Sequence, residues 1–272
     1  MNKQKLKKLL IGDFKFSWQR LMRFLLLLYV ALCIYGWFFA EGKIFLPHPS
    51  SYQDNADIIK LTTTDGVKIS ALYLPNPKAK YTILYSHGNA SDLGDLGSVL
   101  YKLKSLGFAV LAYDYHGYGT SEGKPSEKNT YLDINSAYQY LTKTLNIPPQ
   151  KIIIYGHSVG GGPSVDLASR HQIAGLILES TFITAFRVVT VIPIVPFDKF
   201  NNISKIKKVH SPILIMHGKA DNVIPFWHGE TLFSHANSPK LSLWSETAGH
   251  NDLIDVTGEK YERSLHEFIN LL

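Results

Sequence analysis

The sequence of 272 residues contains a single cysteine, Cys33, which excludes an intrachain disulfide and a cysteine-rich metal site. Its 20 glycines and 13 prolines are not in excess, and it has no long polar tract and no internal repeat, so the composition does not indicate disorder. With 45% hydrophobic residues, the chain can form one large domain with a substantial core and a short additional segment.

Most of the chain also has no excess of positive or negative charge. The formal net charge of +6 comes from 28 basic and 22 acidic residues. Residues 1–40 contain seven of the basic residues and one acidic residue, which leaves 21 of each sign in residues 41–272. Because the basic character belongs to the N-terminal segment alone, we predict that the protein has no nucleic-acid partner.

A run of 17 mainly apolar residues, from Phe24 to Ala40, follows these basic residues. This length is at the lower limit for a helix that spans a bilayer. We therefore predict a basic leader at 1–23, a single transmembrane anchor at 24–40 and a main domain at 41–272. Because positive charge resists translocation, the N-terminus is predicted to be cytoplasmic and the main domain to lie on the opposite side of the membrane.

Two other interpretations of the apolar run stay open. A cleaved signal peptide would have small residues before the cleavage site, whereas Trp37, Phe38 and Phe39 are bulky. An amphipathic helix lying on the membrane would have a polar face, whereas this run is apolar on all sides. Both comparisons favour the transmembrane anchor.

Residues 41–272 alternate between strand-like and helix-like segments. Strands are predicted at 58–62, 67–73, 81–86, 108–112, 151–155, 174–178, 213–217 and 241–244, and helices at 96–106, 129–145, after the fifth strand through about 170, and 260–271. Alternation of this kind predicts an α/β fold, with a mostly parallel sheet flanked by helices. In such sheets, chemistry takes place at the carboxyl ends of the strands.

The sequence Gly156-His157-Ser158-Val159-Gly160 directly follows the predicted strand 151–155. Between a strand and a helix, the pattern Gly-x-Ser-x-Gly is typical of the sharp turn that exposes the nucleophilic serine of an α/β-hydrolase. The two glycines leave room for neighbouring backbone. We therefore predict that Ser158 is a nucleophile. The alternative is a glycine-rich turn that only connects a strand to a helix.

The acid and the histidine of such a hydrolase follow the serine in that order along the chain. Asp221 lies in the loop after a late strand, and His250 lies after the last strand. We predict His250 as the general base and Asp221 as the carboxylate that orients it. Glu179 is a second candidate for the acid, and Asp252 and Asp255 are weaker ones.

Backbone N–H groups are predicted to stabilise the oxyanion of the reaction. One belongs to Val159, the residue after the nucleophile, and the other to Asn89, in the turn after an early strand. The alternative for that turn is an ordinary strand ending. The other histidines do not have the spacing of metal ligands, so no metal and no cofactor are predicted.

Five segments together resemble one branch of the α/β-hydrolases, which includes the eukaryotic depalmitoylating hydrolases. They are Ser86–Ala90, Asp114–Gly119, Gly123–Glu127, Gly156–Gly160 and Ala248–Asp252. The resemblance covers about residues 55–271. It implies acyl-ester or thioester hydrolysis and the same three triad positions.

The chain departs from that branch in two places. The depalmitoylating members are tethered through acylated N-terminal cysteines, whereas this chain has an apolar run. His116 occupies a position at which relatives often differ. With the main domain on the non-cytoplasmic side, cytoplasmic palmitoylated proteins could not be substrates.

An apolar insertion at about 180–208 lies where this fold commonly has a cap over the nucleophile. Its side chains Phe182, Phe186 and Ile192 are predicted to bind an acyl chain, and the alternative is that they cover the edge of the sheet. We therefore predict a membrane-anchored serine hydrolase that cleaves a carboxylic ester or acyl-thioester, with a small-molecule or lipid-like substrate, through an acyl-enzyme. The alternatives are a peptidase of the prolyl-oligopeptidase-like type and a non-catalytic, membrane-anchored interaction domain.

Overall fold

A computed structural model describes residues 17–272, so most of the predicted basic leader at 1–23 lies outside the described residues. The chain divides into two units, an N-terminal segment that ends at Ala40 and a domain from Glu41 to Leu272.

In the part of the N-terminal unit that the structure describes, from residue 17 onward, there is one helix, α1 (Trp18–Phe39), of 22 residues. It begins six residues before the predicted anchor at 24–40, because Arg20 and Arg23 are good helix formers and continue the helix beyond the apolar run. No side chain of this helix is buried within the structure. By length and composition α1 could cross a membrane, a property that it shares with signal sequences near an N-terminus.

The domain is built on a sheet of eight strands. They are β1 (Ile58–Thr62), β2 (Lys68–Leu74), β3 (Thr82–Ser86), β4 (Ala109–Tyr113), β5 (Ile152–His157), β6 (Gly175–Glu179), β7 (Ile213–Gly218) and β8 (Lys240–Ser245). Their order in the sheet is β1-β2-β4-β3-β5-β6-β7-β8. β2 pairs antiparallel with β1 and β4, and all other neighbours are parallel. The prediction of a mostly parallel sheet is confirmed.

Helices cover both faces of this sheet. They are α2 (Glu41–Ile44), α3 (Gly97–Ser105), α4 (Glu127–Gln139), α5 (Gly161–Ala168), α6 (Asn202–Lys205), α7 (Trp227–His235), α8 (Leu253–Thr257) and α9 (Glu259–Ile269). α4 begins two residues earlier than predicted, because Ser126 accepts a hydrogen bond from the N–H of Asn129 and caps the helix. Its last turn, Tyr140–Thr144, is a π-helical turn.

The core has two layers, one on each face of the sheet. Successive strand residues point to opposite faces, so Ile152 and Ile154 of β5 belong to one layer, whereas Ile153 and Tyr155 belong to the other. Because the central strands are buried on both faces, they have continuous apolar sequences instead of alternating ones. Because both faces of the sheet are covered, polar side chains come together at the carboxyl ends of the parallel strands.

The predicted insertion at about 180–208 connects β6 to β7. It contains short 3₁₀ turns at Phe186–Val188 and Ile206–Lys208, and the single helical turn α6 between them. The backbone N–H of Ala185 donates to the carbonyl of Lys199 at 2.8 Å, which closes residues 186–198 into a loop. This loop is called the cap loop below.

Candidate active site

Ser158 lies at a strained turn between β5 and α5. Its φ angle is +53°, which is a left-handed backbone conformation that residues other than glycine rarely adopt. The flanking glycines are required by close contacts: a Cβ at Gly160 would lie 2.1 Å from the carbonyl oxygen of Ser86, and a Cβ at Gly156 would lie 2.6 Å from that of Gly160. The turn therefore packs directly against the end of β3 while it presents the serine hydroxyl.

Three side chains from separate loops form a continuous chain of hydrogen bonds. Nε2 of His250 lies 2.9 Å from Oγ of Ser158, and Nδ1 of His250 lies 2.8 Å from Oδ2 of Asp221. An ionised carboxylate only accepts hydrogen bonds, so the proton of the neutral imidazole is on Nδ1. Nε2 is then free to accept the hydroxyl proton of Ser158.

Asp221 is held in place through both carboxylate oxygens. Oδ1 accepts hydrogen bonds from the backbone N–H groups of Val223 at 2.9 Å and Ile224 at 2.8 Å. Burial acts to raise the pKa of Asp221, but hydrogen bonds from His217 and His250 outweigh it and hold this pKa far below the usual range. The carboxylate is therefore charged and fixed in orientation at neutral pH.

His157, inside the Gly-x-Ser-x-Gly pattern, supports the loop of His250. Its Nε2 donates to the backbone carbonyl of His250 at 3.3 Å, and the two rings are 5.5 Å apart. Burial is the main cause that lowers the pKa of His157 to about 4. His157 is therefore neutral at pH 7. Sequence reasoning missed this residue, because the pattern leaves its position undefined.

The other acids considered from the sequence have different partners. Glu179 is buried and accepts a hydrogen bond from the hydroxyl of Tyr155, and burial raises its pKa to about 7. Asp252 accepts the backbone N–H of Gly249 at 2.6 Å and so braces the loop before His250. Among residues 17–272, the carboxylate hydrogen-bonded to the ring of His250 is that of Asp221.

The two turns with the predicted oxyanion donors lie side by side. The N–H of Val159 belongs to the first turn of a helical segment, where N–H groups have no acceptor within the helix. A Cβ at Gly88 would lie 3.5 Å from the Cβ of Ser158, which brings the neighbouring Asn89 close to the serine. The side chain of Asn89 accepts a hydrogen bond from the N–H of Leu46 at 2.8 Å, so it holds its own turn in place.

Comparisons with known proteins identify the family of this chain. A family described as "Serine aminopeptidase, S33" matches residues 77–200. Alpha/beta hydrolase domain-containing protein 17B of Homo sapiens is 43% identical over 227 residues, which cover 82% of this chain and 78% of that protein. This chain belongs to the α/β-hydrolase domain-containing protein 17 family. The predicted resemblance is confirmed.

A further relative and two solved esterase structures are also similar to this chain. The Caenorhabditis elegans protein aho-3 is 40% identical over 236 residues, which cover 85% of this chain and 70% of that protein. The Pyrococcus furiosus esterase Pf2001 has a TM-score of 0.69 and 20% identity, over 83% of this chain and 98% of that one. An esterase from Exiguobacterium antarcticum has a TM-score of 0.60 and 18% identity, over 78% and 98% of the chains. The α/β-hydrolase fold is confirmed.

The side chains predicted to bind substrate in this α/β-hydrolase have three different environments. Phe182 is buried in the core, with its ring 6.1 Å from that of Phe200, and Phe186 is half-buried, 5.9 Å from Phe197. Ile192 lies in the cap loop and is 68% exposed. The three side chains therefore differ in burial, and their role in acyl binding stays a prediction.

One cluster of possible metal ligands is present among residues 17–272, formed by His48, Asp92 and Asp95. The carboxylate of Asp92 already accepts hydrogen bonds from the N–H groups of Ser51 at 2.8 Å and Gly94 at 3.0 Å. The carboxylate of Asp95 contacts Nε2 of His48 at 3.0 Å. These bonds attach the segment before β1 to the domain, and the absence of a metal stays a prediction.

Proposed function

We propose that this α/β-hydrolase is a serine esterase or thioesterase that cleaves carboxylic ester or acyl-thioester bonds through an acyl-enzyme on Ser158. The observation that carries the proposal is the chain of hydrogen bonds from Ser158 through His250 to Asp221, at 2.9 and 2.8 Å. Three loops that are distant in sequence supply these groups in the order that the reaction requires.

In the first half of the proposed reaction, Nε2 of His250 takes the hydroxyl proton while Oγ of Ser158 bonds to the acyl carbon. The carbonyl oxygen becomes an alkoxide, for which the N–H groups of Val159 and Asn89 are the proposed donors. When the intermediate collapses, the bond to the leaving oxygen or sulfur breaks and His250 returns the proton to it. Ser158 then carries the acyl group as an ester.

In the second half, water replaces the leaving group. His250 takes a proton from water as the water oxygen bonds to the acyl carbon, and the bond to Oγ of Ser158 breaks with return of the proton to Oγ. The products are a carboxylic acid and the free enzyme. The ionised Asp221 stabilises the imidazolium in both halves, and its low pKa keeps it charged throughout.

For the substrate, we propose an acyl chain of a small molecule or a lipid. The insertion after β6 is rich in apolar side chains, and Phe182, Phe186 and Ile192 remain our candidates for acyl binding. Thr181, where this insertion begins, donates its hydroxyl to the carbonyl of Ser158 at 2.7 Å. The insertion is therefore attached directly to the nucleophile turn.

We further propose that α1 anchors the protein in a membrane as a single span. The apolar residues 24–40 supply the span, and the basic residues of 1–23 favour a cytoplasmic N-terminus. The domain at 41–272 would then act on the opposite side. In this orientation, acyl groups on that side of the membrane are the accessible substrates.

A peptidase is the second candidate, and the matched family described as a serine aminopeptidase favours it. The same nucleophile and base would cleave an amide, with the imidazolium protonating the leaving amine. Assays with p-nitrophenyl esters of increasing acyl length, an acyl-thioester and amino-acid p-nitroanilides separate the two. We expect turnover of esters or thioesters, and turnover of anilides alone would contradict our proposal.

Labelling with a fluorophosphonate probe tests whether the protein is a serine hydrolase. We expect the wild-type protein to react and Ser158→Ala to be unreactive. Ser164→Ala is the matched control, because Ser164 is also buried, lies in α5, and its hydroxyl has no hydrogen-bond partner among the described residues. A folded wild-type protein that does not react would favour a non-catalytic interaction domain.

A further inference from the structure

Exposed apolar side chains are concentrated at one edge of the domain. Residues 41–272 contain nine large hydrophobic side chains that are exposed. Six of them lie at or beside the edge formed by the carboxyl ends of the parallel strands: Leu46, Val189, Val191, Ile192, Ile194 and Val223. A single exposed apolar residue is ordinary, but a grouped patch of this kind marks an interaction surface.

Four of these six residues belong to the cap loop. Val189 is 84% exposed and Val191 is 77% exposed, which is unusual for valine. Two hydrogen bonds hold the loop in place. The guanidinium of Arg187 donates to the backbone carbonyl of Val191, and Asp198 accepts the N–H of Phe186 at 2.8 Å. The apolar side chains are therefore presented outward by a braced loop.

The chain enters the domain beside this loop. The carboxylate of Glu41 lies 3.0 Å from the ammonium of Lys199, and the ring of Phe45 lies 6.0 Å from that of Phe200. The next residue, Leu46, donates its N–H to the side chain of Asn89. Residues 41–46 therefore run along the active-site edge of the domain, from the end of the cap loop to the proposed oxyanion turn.

This entry point limits where a membrane can lie. Helix α1 ends at Phe39, and consecutive Cα atoms are about 3.8 Å apart, so a bilayer that holds α1 must reach to within about 10 Å of Glu41. Glu41 in turn is attached to Lys199, at the base of the cap loop. The exposed apolar side chains of the cap loop belong to the same edge of the domain as this attachment point.

We propose that the cap loop dips into the lipid surface through Val189, Val191 and Ile194, and so holds the mouth of the active site against the membrane. The proposal rests on the anchoring proposed for α1. The occupant is a lipid surface because the patch is exposed, apolar and beside the segment that follows the apolar helix. An acyl chain could then pass from the bilayer to Ser158 without crossing water.

The depth of the loop can be measured in the full chain, because Cys33 is its only cysteine. A Cys33→Ala protein carries Val189→Cys labelled with an environment-sensitive NBD fluorophore, in phosphatidylcholine vesicles with or without doxyl-labelled lipid. Tyr101→Cys is the matched control: it is 62% exposed on α3, which packs against the opposite face of the sheet from Phe182 and Phe200. We expect a blue-shifted emission and doxyl quenching at position 189 and neither at position 101.

The possible outcomes separate the two proposals. If the protein floats with vesicles but the label at position 189 has the same emission and doxyl quenching as the label at position 101, the loop is in water. The assignment of a lipid surface is then wrong, and a protein partner for the patch is favoured. If the protein does not float with vesicles, the anchoring by α1 is wrong and the loop proposal falls with it. Retained fluorophosphonate labelling in either case leaves the proposed hydrolase chemistry standing.

Kinetics provide a second readout. We expect Val191→Asp in the full chain to lower kcat/KM by about tenfold for an ester embedded in the vesicles, because a charged residue resists insertion. Turnover of water-soluble p-nitrophenyl acetate should be unchanged, as should both activities of Tyr101→Asp. An equal loss on both substrates would indicate damage to the site, and no loss on either would contradict the proposal.

Discussion

Replacement of Asp221 by asparagine tests the roles of the carboxylate and the histidine together. Oδ1 accepts two backbone N–H groups, from Val223 and Ile224, while Oδ2 faces Nδ1 of His250. In Asp221→Asn, the amide oxygen must take the first position, because an amide NH₂ there would meet two backbone N–H groups, which can only donate, whereas the imidazoles of His217 and His250 at the second position can change tautomer. The NH₂ group is thereby directed at His250.

This orientation reverses the tautomer of the imidazole. Nδ1 of His250 must accept from the new NH₂ group, so the ring proton moves to Nε2. Nε2 lies 2.9 Å from Oγ of Ser158 and can then no longer accept its proton. Loss of the correct tautomer in serine hydrolases lowers kcat by about 10⁴-fold, and we expect a loss of that order.

The assay is the steady-state hydrolysis of a short p-nitrophenyl ester by full-length protein in detergent, with folding checked by circular dichroism. Glu179→Gln is the matched control, since it removes another buried acid near this edge and keeps an acceptor for the hydroxyl of Tyr155. We expect this control to retain activity within about threefold, because Glu179 does not bond His250. A loss of less than tenfold in Asp221→Asn, or a large loss in Glu179→Gln, would refute the assignment of the acid.

Three further substitutions test other parts of the account. Gly160→Ala should destabilise the fold by about 2 kcal/mol or more and reduce ester hydrolysis, because its Cβ would lie 2.1 Å from a backbone oxygen. Gly97→Ala is the control and should do neither, because the space around Gly97 is open. Equal melting temperatures of the two variants would contradict this. Ser126→Ala should lower the free energy of unfolding by about 1 kcal/mol in urea titrations through loss of the cap of α4, and an unchanged midpoint would show that the cap contributes nothing. The pKa of His157 is about 4 in the folded protein and 6.5 in the unfolded chain, so the unfolded chain takes up a proton at higher pH. The free energy of unfolding of the wild-type protein should therefore fall, relative to that of His157→Gln, as the pH decreases from 6.5 to 4. Parallel curves of stability against pH for the two proteins would contradict this.

Local patterns in the sequence predicted the parts of the site that depend on local geometry. The turn around Ser158 follows from two glycines and a serine between a strand and a helix, and the placement of Asp221 and His250 follows from chain order. The central strands could be recognised because burial on both faces requires continuous apolar runs. The start of α4 was missed by two residues, because the capping role of Ser126 was not considered.

Contacts between distant segments could not be predicted in the same way. The bond from Leu46 to Asn89 joins residues 43 positions apart, and the contact between His48 and Asp95 spans 47 positions. Apolar composition also could not distinguish Phe182, which is buried, from Ile192, which faces outward, since both fit a pocket or a surface equally well. Only the folded arrangement separates these cases.

The central claim, that Ser158 carries the acyl group during turnover, can be tested directly by trapping the intermediate. The protein is mixed with a p-nitrophenyl ester, quenched with acid within the first turnover, digested, and analysed by mass spectrometry. We predict the acyl mass on the peptide containing Ser158, together with a burst of p-nitrophenol. An acyl group found on another residue, with Ser158 unmodified while the substrate turns over, would contradict the account.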